Sequence, residues 1–361
     1  MRSTLLTLAL LTGPTLTRAQ GQTSNGTYEQ ETRSLDEIYQ AALAEGGVVT
    51  LWHGGDEKNQ QDFLKQAFEA RFPNITLNVT VDLSKYHDTN LDVQLAAKNV
   101  YVDSVILQTV HDFPRWKAEG ALLNYAPKDF DKVYPVFKDQ DAAYTGLFVL
   151  GWSIQSNTNK TETVPTSYND LTRPEFKDKL VLTYPNDDDA VLWQFDLLLK
   201  DPAFGLEWFD ALLANNPRWV RGTATPQTLL NAANSSSVAT FTAGHFFQPL
   251  SGYSKVLPTE GTFVTWAQTG AILKDAPHPE GAKLLHNFLL SDEQQAGRGW
   301  SIRSDLSVVE EGIEPILEQP NTRAAEWATW MADRENVERL KFFFEQRIGT
   351  AQGLSPLEDD L

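Results

Sequence analysis

Short apolar runs rich in β-branched and aromatic residues alternate with helical segments from residue 34 onward, and this rhythm restricts the fold more than any other feature. Ser34 is placed to cap a helix reaching Ala44, with Glu37 at the capping-box position, and Gly46-Gly47 stops it. Val48 to Trp52 reads as a buried strand. The polar loop His53-Gly54-Gly55-Asp56 follows, then a helix expected to carry Phe63, Leu64, Ala67, Phe68 and Phe72 on one face. Ile75 to Val81 is the next strand, Asp88 to Lys98 a helix, Asp103 to Leu107 a third strand, and Trp116 to Glu119 a helix end before Gly120. Strand–helix–strand alternation implies a parallel sheet covered by helices on both faces. In such sheets ligands sit beyond the carboxyl ends of strands, which selects Trp52 to Asp56 and Gln108 to Asp112 as site loops.

The same logic recurs between Ile154 and Gly261. Lys179 to Tyr184 is a strand, Asp187-Asp188-Asp189 caps a helix over Ala190 to Lys200, and Trp208 to Leu213 is helical. Thr225-Pro226-Gln227 starts another helix, and Ser237 to Thr242 is a strand ending at Ala243-Gly244. Leu147 to Ile154 and Gly261 to Leu273 lie where the chain would leave and re-enter the first unit, and read as hinge strands. A chain of 361 residues exceeds the ~250–300 at which one core stops growing, so two lobes are expected. The division reads as 34–150 and 262–361 for the first lobe, the latter with C-terminal helices, and 151–261 for the second. Residues 20–33 read as a flexible lead-in.

Met1-Arg2, the apolar stretch Leu5 to Leu11 and Thr17-Arg18-Ala19 form a leader over 1–19, too short to span a bilayer. Five Asn-x-Ser/Thr sequons, at Asn25, Asn74, Asn78, Asn159 and Asn234, fit secretion and glycosylation. No cysteine is present, so thiol chemistry and disulfide staples are excluded. The formal charge of −18 becomes −20 once Arg2 and Arg18 leave with the leader, which disfavours nucleic acid and anionic membranes as partners. The expectation is a monomer with a small-molecule or ion ligand, no membrane insertion, and no cofactor or resident metal.

No nucleophile elbow, P-loop or zinc-protease motif is present, and the six histidines show no i, i+4 pairing. Catalytic residues are therefore not assigned. The ligand candidates are those that the topology brings to strand ends. Trp52, His53, Gly54, Gly55 and Asp56 offer a ring, an imidazole and free backbone N–H groups. Gln108 and Thr109 follow the third strand. Asp187 and Asp188 could hold a cation or cap a helix. Trp152, Tyr184, Trp193 and Trp266 could stack on a ligand or fill the core. Thr223 and Thr225 stand at a helix start, and Thr242, Gly244 and His245 end the second lobe's strand.

Val48 to His53 with Phe63 to Pro73, Val102 to Val105, Trp116 to Tyr125, Trp266 to Leu273, Ala276 to Leu284 and Phe288 to Gln295 together resemble bacterial extracellular solute-binding proteins. These are the type 2 periplasmic binding proteins of the iron(III), thiamine and polyamine import group. The resemblance covers roughly residues 46 to 300. It implies an α/β, two-lobed periplasmic-binding-protein fold, each lobe a mostly parallel sheet flanked by helices, joined by two hinge strands. With the leader and sequons it implies a eukaryotic, fungal-like secreted member. The iron(III) branch uses a first-loop histidine, a carboxylate after the second-loop strand and adjacent tyrosines. Here His53 fills the first role, Gln108 is neutral at the second, and Gly244-His245-Phe246-Phe247 offers no phenolate, which disfavours ferric iron. The expected function is closure over a small polar or cationic solute. A secreted hydrolase using Asp56 and Asp187, or an interaction protein whose cleft is filled by its own side chains, stays open at this level.

Overall fold

A computed structural model describes residues 28–244, 251–296, 299–306 and 313–358. The leader over 1–19, Asn25, His245 and the Phe246-Phe247 pair lie outside the described residues. In chain order the elements begin with β1 (Glu29–Gln30), α1 (Leu35–Glu45), β2 (Val48–Gly54), α2 (Asp62–Arg71), β3 (Thr76–Asp82), α3 (Ser84–Ala97), β4 (Ser104–Leu107), α4 (Asp112–Ala118), β5 (Tyr125–Ala126) and β6 (Thr145–Asn157). They continue with β7 (Val181–Thr183), α5 (Asp189–Lys200), α6 (Gly205–Ala214), β8 (Arg218–Val220), α7 (Thr225–Asn231), β9 (Ala239–Ala243), β10 (Tyr253–Val256), β11 (Thr265–Ile272), α8 (Pro279–Leu289), α9 (Asp292–Ala296), α10 (Trp327–Ala332) and α11 (Arg334–Ile348).

The sheet is mixed rather than uniformly parallel. β3, β2 and β4 are parallel neighbours, β11 joins β4 antiparallel, and β6 then pairs antiparallel with β11, β9 and β10. β7 and β8 form a separate parallel pair. The parallel reading thus holds within each lobe's βα units, and the two crossover strands β6 and β11 supply the antiparallel part. Alternation along β2 and β4 builds two cores. Val49, Leu51 and Ile106 face α1, α2 and α8 through Ile38, Phe68, Phe72 and Phe288, whereas Trp52, Val105 and Leu107 face Leu91, Phe113 and Trp116. The second lobe packs Trp152, Ile154, Phe195, Trp208, Phe209 and Phe241 together, and Trp327, Met331, Val337 and Phe344 of the tail join that cluster. The C-terminal helices therefore cover the second lobe's core, although their chain position suggested a return to the first.

α1 starts with the expected capping box: Ser34 Oγ accepts from Glu37 N, and the Glu37 carboxylate accepts from Ser34 N at 2.7 Å. Gly46 and Gly47 both adopt positive φ, which ends the helix where a side chain would be strained. Two further expectations change. The end of the lead-in segment is tied down: β1 pairs with β5, and the buried Glu31 carboxylate accepts from Arg33 at 2.7 Å and from Tyr125 Oη at 2.6 Å. Phe63 does not share the buried face of α2 but is 78% exposed. Position 63 stands one residue before Leu64 and five before Phe68, off the 64/68 stripe that docks on the sheet. The sequons at Asn74, Asn78, Asn159 and Asn234 are all exposed. Among the described residues no helix is long and apolar enough to cross a membrane.

Removing Phe68 deletes a fully buried ring from the junction of α2 and α8. We predict that Phe68→Ala costs about 3–5 kcal/mol in urea denaturation, whereas Phe63→Ala stays within about 0.5 kcal/mol. Equal losses would mean that α2 docks through another face.

Candidate functional site

The carboxyl ends of β2, β3 and β4 meet those of β7, β8 and β9 across the crossover strands. On the first lobe, α3 begins directly after β3, and Ser84 Oγ accepts from Gln108 N at 3.0 Å, tying the starts of two loops together. Gly54 packs beside it: a Cβ there would stand 2.1 Å from Ser84 Oγ. The glycine is thus required by the neighbouring helix start. Gly55 N donates to Asp82 O at 3.0 Å and Asp56 N to Gln60 Oε1 at 2.8 Å, so these N–H groups are already engaged. His53 is buried, its Nδ1–H donates to Gly54 O at 2.7 Å, and its ring lies parallel to Phe148 with centroids 5.7 Å apart.

Three contacts cross from lobe to lobe. The Asp56 carboxylate accepts from Thr223 N at 2.9 Å and from Thr223 Oγ1 at 2.6 Å. Lys85 Nζ, in the first turn of α3, donates to Asp187 O at 2.6 Å and Asp187 Oδ1 at 2.8 Å. Arg221 donates through Nε to Asp187 Oδ2 at 2.8 Å and through Nη2 to Tyr86 Oη at 3.1 Å. Behind them, Thr242 Oγ1 donates to Thr223 O at 2.6 Å, and Thr183 Oγ1 to Gly222 O at 2.7 Å, fixing the β8–α7 turn. Gly222 has a φ of +77° and a Cβ would stand 2.7 Å from Pro356, so the tail packs against this turn.

The carboxylates differ sharply in their surroundings. Burial alone would raise Asp187, but hydrogen bonds from Arg221 and the charge of Lys85 outweigh it and hold its pKa below the ordinary value. Asp189 is likewise held down against burial by Lys341 and Arg334 of α11, at 3.0 and 3.1 Å. Asp188 caps α5, accepting from Ala190 N at 2.8 Å and Val191 N at 3.0 Å. Burial, reinforced by the Asp56 charge, still pushes Asp188 up to about 7. Burial also raises Asp56, against the two Thr223 bonds. Ion pairs thus serve Asp187 and Asp189, while Asp56 and Asp188 have hydrogen bonds and the charge of Lys85 without an ion pair. Among the described residues no group of three or more histidines, aspartates and glutamates is placed to hold a metal ion.

Of the sequence candidates, the structure brings together Asp56, Asp187, Asp188, Thr223 and Thr242, with His53, Gly54, Gly55, Gln108 and the buried Thr109 on the loops behind them. Gly244 packs against Gln227, whose Nε2 would be 2.4 Å from a Cβ, and Thr225 is buried at the start of α7. The aromatics are mostly core. Trp152 packs on Phe241 at 6.2 Å, Trp193 on Trp327 at 5.2 Å, and Tyr184 on Trp219 at 5.9 Å. The buried Trp266 donates Nε1–H to Gln268 Oε1 at 2.9 Å. Trp52 faces away, stacked on His87 at 4.8 Å. Sequence reasoning missed Ser84, Lys85, Tyr86 and Arg221. The strand-end rule that selected two loops applies equally to β3 and β8, and would have found all four.

The model of the family described as bacterial extracellular solute-binding protein matches residues 102–329. No curated protein matches by sequence. Among solved structures, iron-bound HitA from Pseudomonas aeruginosa is 15% identical with a TM-score of 0.62, covering 82% of this chain and 99% of its own. The periplasmic binding protein AfuA from Actinobacillus pleuropneumoniae, with fructose-6-phosphate bound, is 18% identical with a TM-score of 0.63, covering 84% and 99%. The substrate-binding protein of an ABC transporter from Agrobacterium tumefaciens is 13% identical with a TM-score of 0.67, covering 85% and 96%. At these identities the likeness is one of fold: two lobes around a cleft. With more than half of its length matched by the family model, this chain belongs to the bacterial extracellular solute-binding protein family.

Proposed function

We propose that this protein is a secreted, monomeric, non-enzymatic binding protein that closes its lobes over a small polar solute, preferably a cation. The lobes we assign are residues 34–150 with the return from 262, and residues 151–261 with the helices α10 and α11. The observation that carries the reading is the Asp56 carboxylate of one lobe gripping Thr223 of the other. It supports closure as a two-state motion stabilised by contacts from both sides. The charge pattern supports a cation. Lys85 and Arg221 are paired with Asp187, so an anion would meet Asp56 and Asp188, which have no ion pair and only part of the Lys85 charge to offset them. A cation would relieve their mutual repulsion. Both carboxylate oxygens of Asp187 are engaged by Lys85 and Arg221, which leaves it poorly placed to act as base or nucleophile in the hydrolase reading. We also propose glycan attachment at the exposed Asn74, Asn78, Asn159 and Asn234.

Native mass spectrometry of the secreted protein, followed by solution scattering with putrescine, thiamine and choline as probes, tests the reading. At least one organic cation should shrink the radius of gyration; an envelope that none of the probes or co-purified solutes changes would favour a pure interaction protein. The Thr223→Val variant removes a hydrogen bond to a charged group, worth about 1.5–3 kcal/mol, and should shift the closed-to-open ratio roughly tenfold or more toward open.

The pH dependence has a definite sign. Asp188 has a folded pKa near 7, above its ordinary value of 3.8, so between these limits the folded state holds an extra proton. The group's contribution to stability therefore falls as pH rises through that window, by at most about 1.4 kcal/mol per pH unit. Cation binding must expel the proton and should weaken about tenfold per unit as pH falls below 7. Asp188→Asn keeps a helix cap but cannot ionise. Calorimetric titrations from pH 5 to 8 should show a flattened dependence in this variant; an unchanged slope would remove Asp188 from the site.

A further inference from the structure

The C-terminal segment touches both the crossover strands and the loops of the cleft. It joins the crossover just before β11, where Phe263 N donates to Asn321 O at 2.8 Å and Thr322 Oγ1 to Phe263 O at 2.8 Å. Trp327 of α10 packs on Trp266 of β11, with centroids 6.0 Å apart, and on Trp193 of α5 at 5.2 Å. From α11, Arg334 and Lys341 pair with Asp189 at the start of α5. Residues 349–358 then reach the two loops that face the other lobe. Asn186, which directly precedes Asp187, donates through Nδ2 to Gly349 O at 3.1 Å. Pro356 packs on Gly222, which directly precedes Thr223.

The Pro356 contact carries the inference. Gly222 has a positive φ, and a Cβ there would stand 2.7 Å from Pro356 Cβ and 3.0 Å from Cγ. The pyrrolidine ring thus fills the space that a side chain at 222 would take. Among residues 349–358 only Pro356 is buried; Gln352, Gly353, Leu354 and Glu358 are exposed. A turn in which Glu358 N donates to Ser355 O at 2.8 Å presents the ring. Proline has almost no side-chain entropy to lose, so a single ring can dock at low cost. On the opposite side of the same turn, Thr183 Oγ1 donates to Gly222 O, and the next residue, Thr223, donates twice to Asp56 of the first lobe. A stretch with so little buried surface opens locally, far more easily than the lobe beneath it unfolds.

We propose that residues 349–358 are a releasable strap on the cleft. Docked, Pro356 holds the Gly222 turn where Thr223 meets Asp56 and favours the closed lobes; released, it frees the turn and speeds opening. A contact within the chain can shift such an equilibrium only by its difference between the two states. That difference lies in Thr223, which reaches Asp56 when the lobes are closed. The consequence for a bound solute rests on the cleft being the binding site, whereas the hold on the turn does not.

Hydrogen–deuterium exchange of the full secreted protein, read by mass spectrometry without added solute, tests the hold on the turn. Two variants release the strap: Pro356→Ser, which removes the ring, and a chain ended after Thr350. In both, the amides from Arg221 to Ala224 should exchange about five- to tenfold faster than in the parent, while those of α6 stay within about twofold. The same variants are then given putrescine, thiamine and choline. Any of these that closes the parent's lobes should dissociate about five- to tenfold faster from both variants. If none closes them, the cleft reading fails for these cations and the exchange rates alone decide on the strap. The proposal is overturned if the turn exchanges at the parent's rate in both variants, or if a probe that closes the lobes leaves at the parent's rate. It is equally overturned if α6 speeds up as much as the turn, which would make the segment a plain part of the second lobe's core.

Discussion

β6 is shared by both lobes, and the rest of the architecture follows from that sharing. Its first half pairs with β11 from Thr145 to Gly151, and its second half with β9 and β10 as far as Asn157. Strand pairing extends along nearly all of β6, so separating the lobes would break that pairing, whereas twisting the strand would not. One feature marks where extra twist can enter, and a second shows how closely the strand is packed. A register shift interrupts the β6–β11 ladder between Gln268 and Thr269, and such irregularities increase local twist. At Gly151 the backbone approaches Trp300 so closely that a Cβ would lie 2.7 Å from the indole. A thirteen-residue strand paired in both lobes, with one irregularity in its ladder, leaves a hinge few alternative paths.

Three consecutive aspartates at the mouth of the second lobe then show how position divides identical chemistry. Asp187 is claimed by a lysine of the other lobe and an arginine of its own. Asp189, two residues on, is claimed by the C-terminal helix. Between them Asp188 turns into the helix start and takes backbone donors. Burial penalises all three charges, and only the outer two have ion pairs to answer it. The middle one shares its unfavourable position with Asp56 across the cleft, so two buried carboxylates without an ion pair act on each other there.

Much of the fold was readable because it rests on local rules. The capping box at Ser34, the Gly46-Gly47 stop and the short β-rich runs each have a physical signature within a few residues. What failed did so where tertiary packing decides. Phe63 is as apolar as Phe68, and periodicity could not say which of two overlapping stripes would dock. The tail helices are amphipathic in sequence, but whether Trp327 and Phe344 meet the first core or the second is a matter of chain path. At the site, the aspartates, Thr223 and Thr242 were legible from strand-end topology. Lys85 and Arg221 were within reach of the same rule applied to β3 and β8, but their pairing with Asp187 was not, since a charge after a strand looks like any surface charge until its partner is placed.

Strand alternation explains why the aromatic most expected in the cleft is absent from it. Along β2, His53 turns toward Phe148 and Trp52 turns toward His87 and Tyr101. Adjacent residues of a strand cannot share a face, so fixing His53 beside the hinge obliges Trp52 to line the far side of α3. The same helix that sends Ser84 and Lys85 into the cleft from its first turn presents Asn90, Gln94 and Ala97 to a separate groove from its later ones. One strand and one helix therefore carry two concave surfaces of opposite character, one lined by carboxylates and cations, the other by carboxamides and rings.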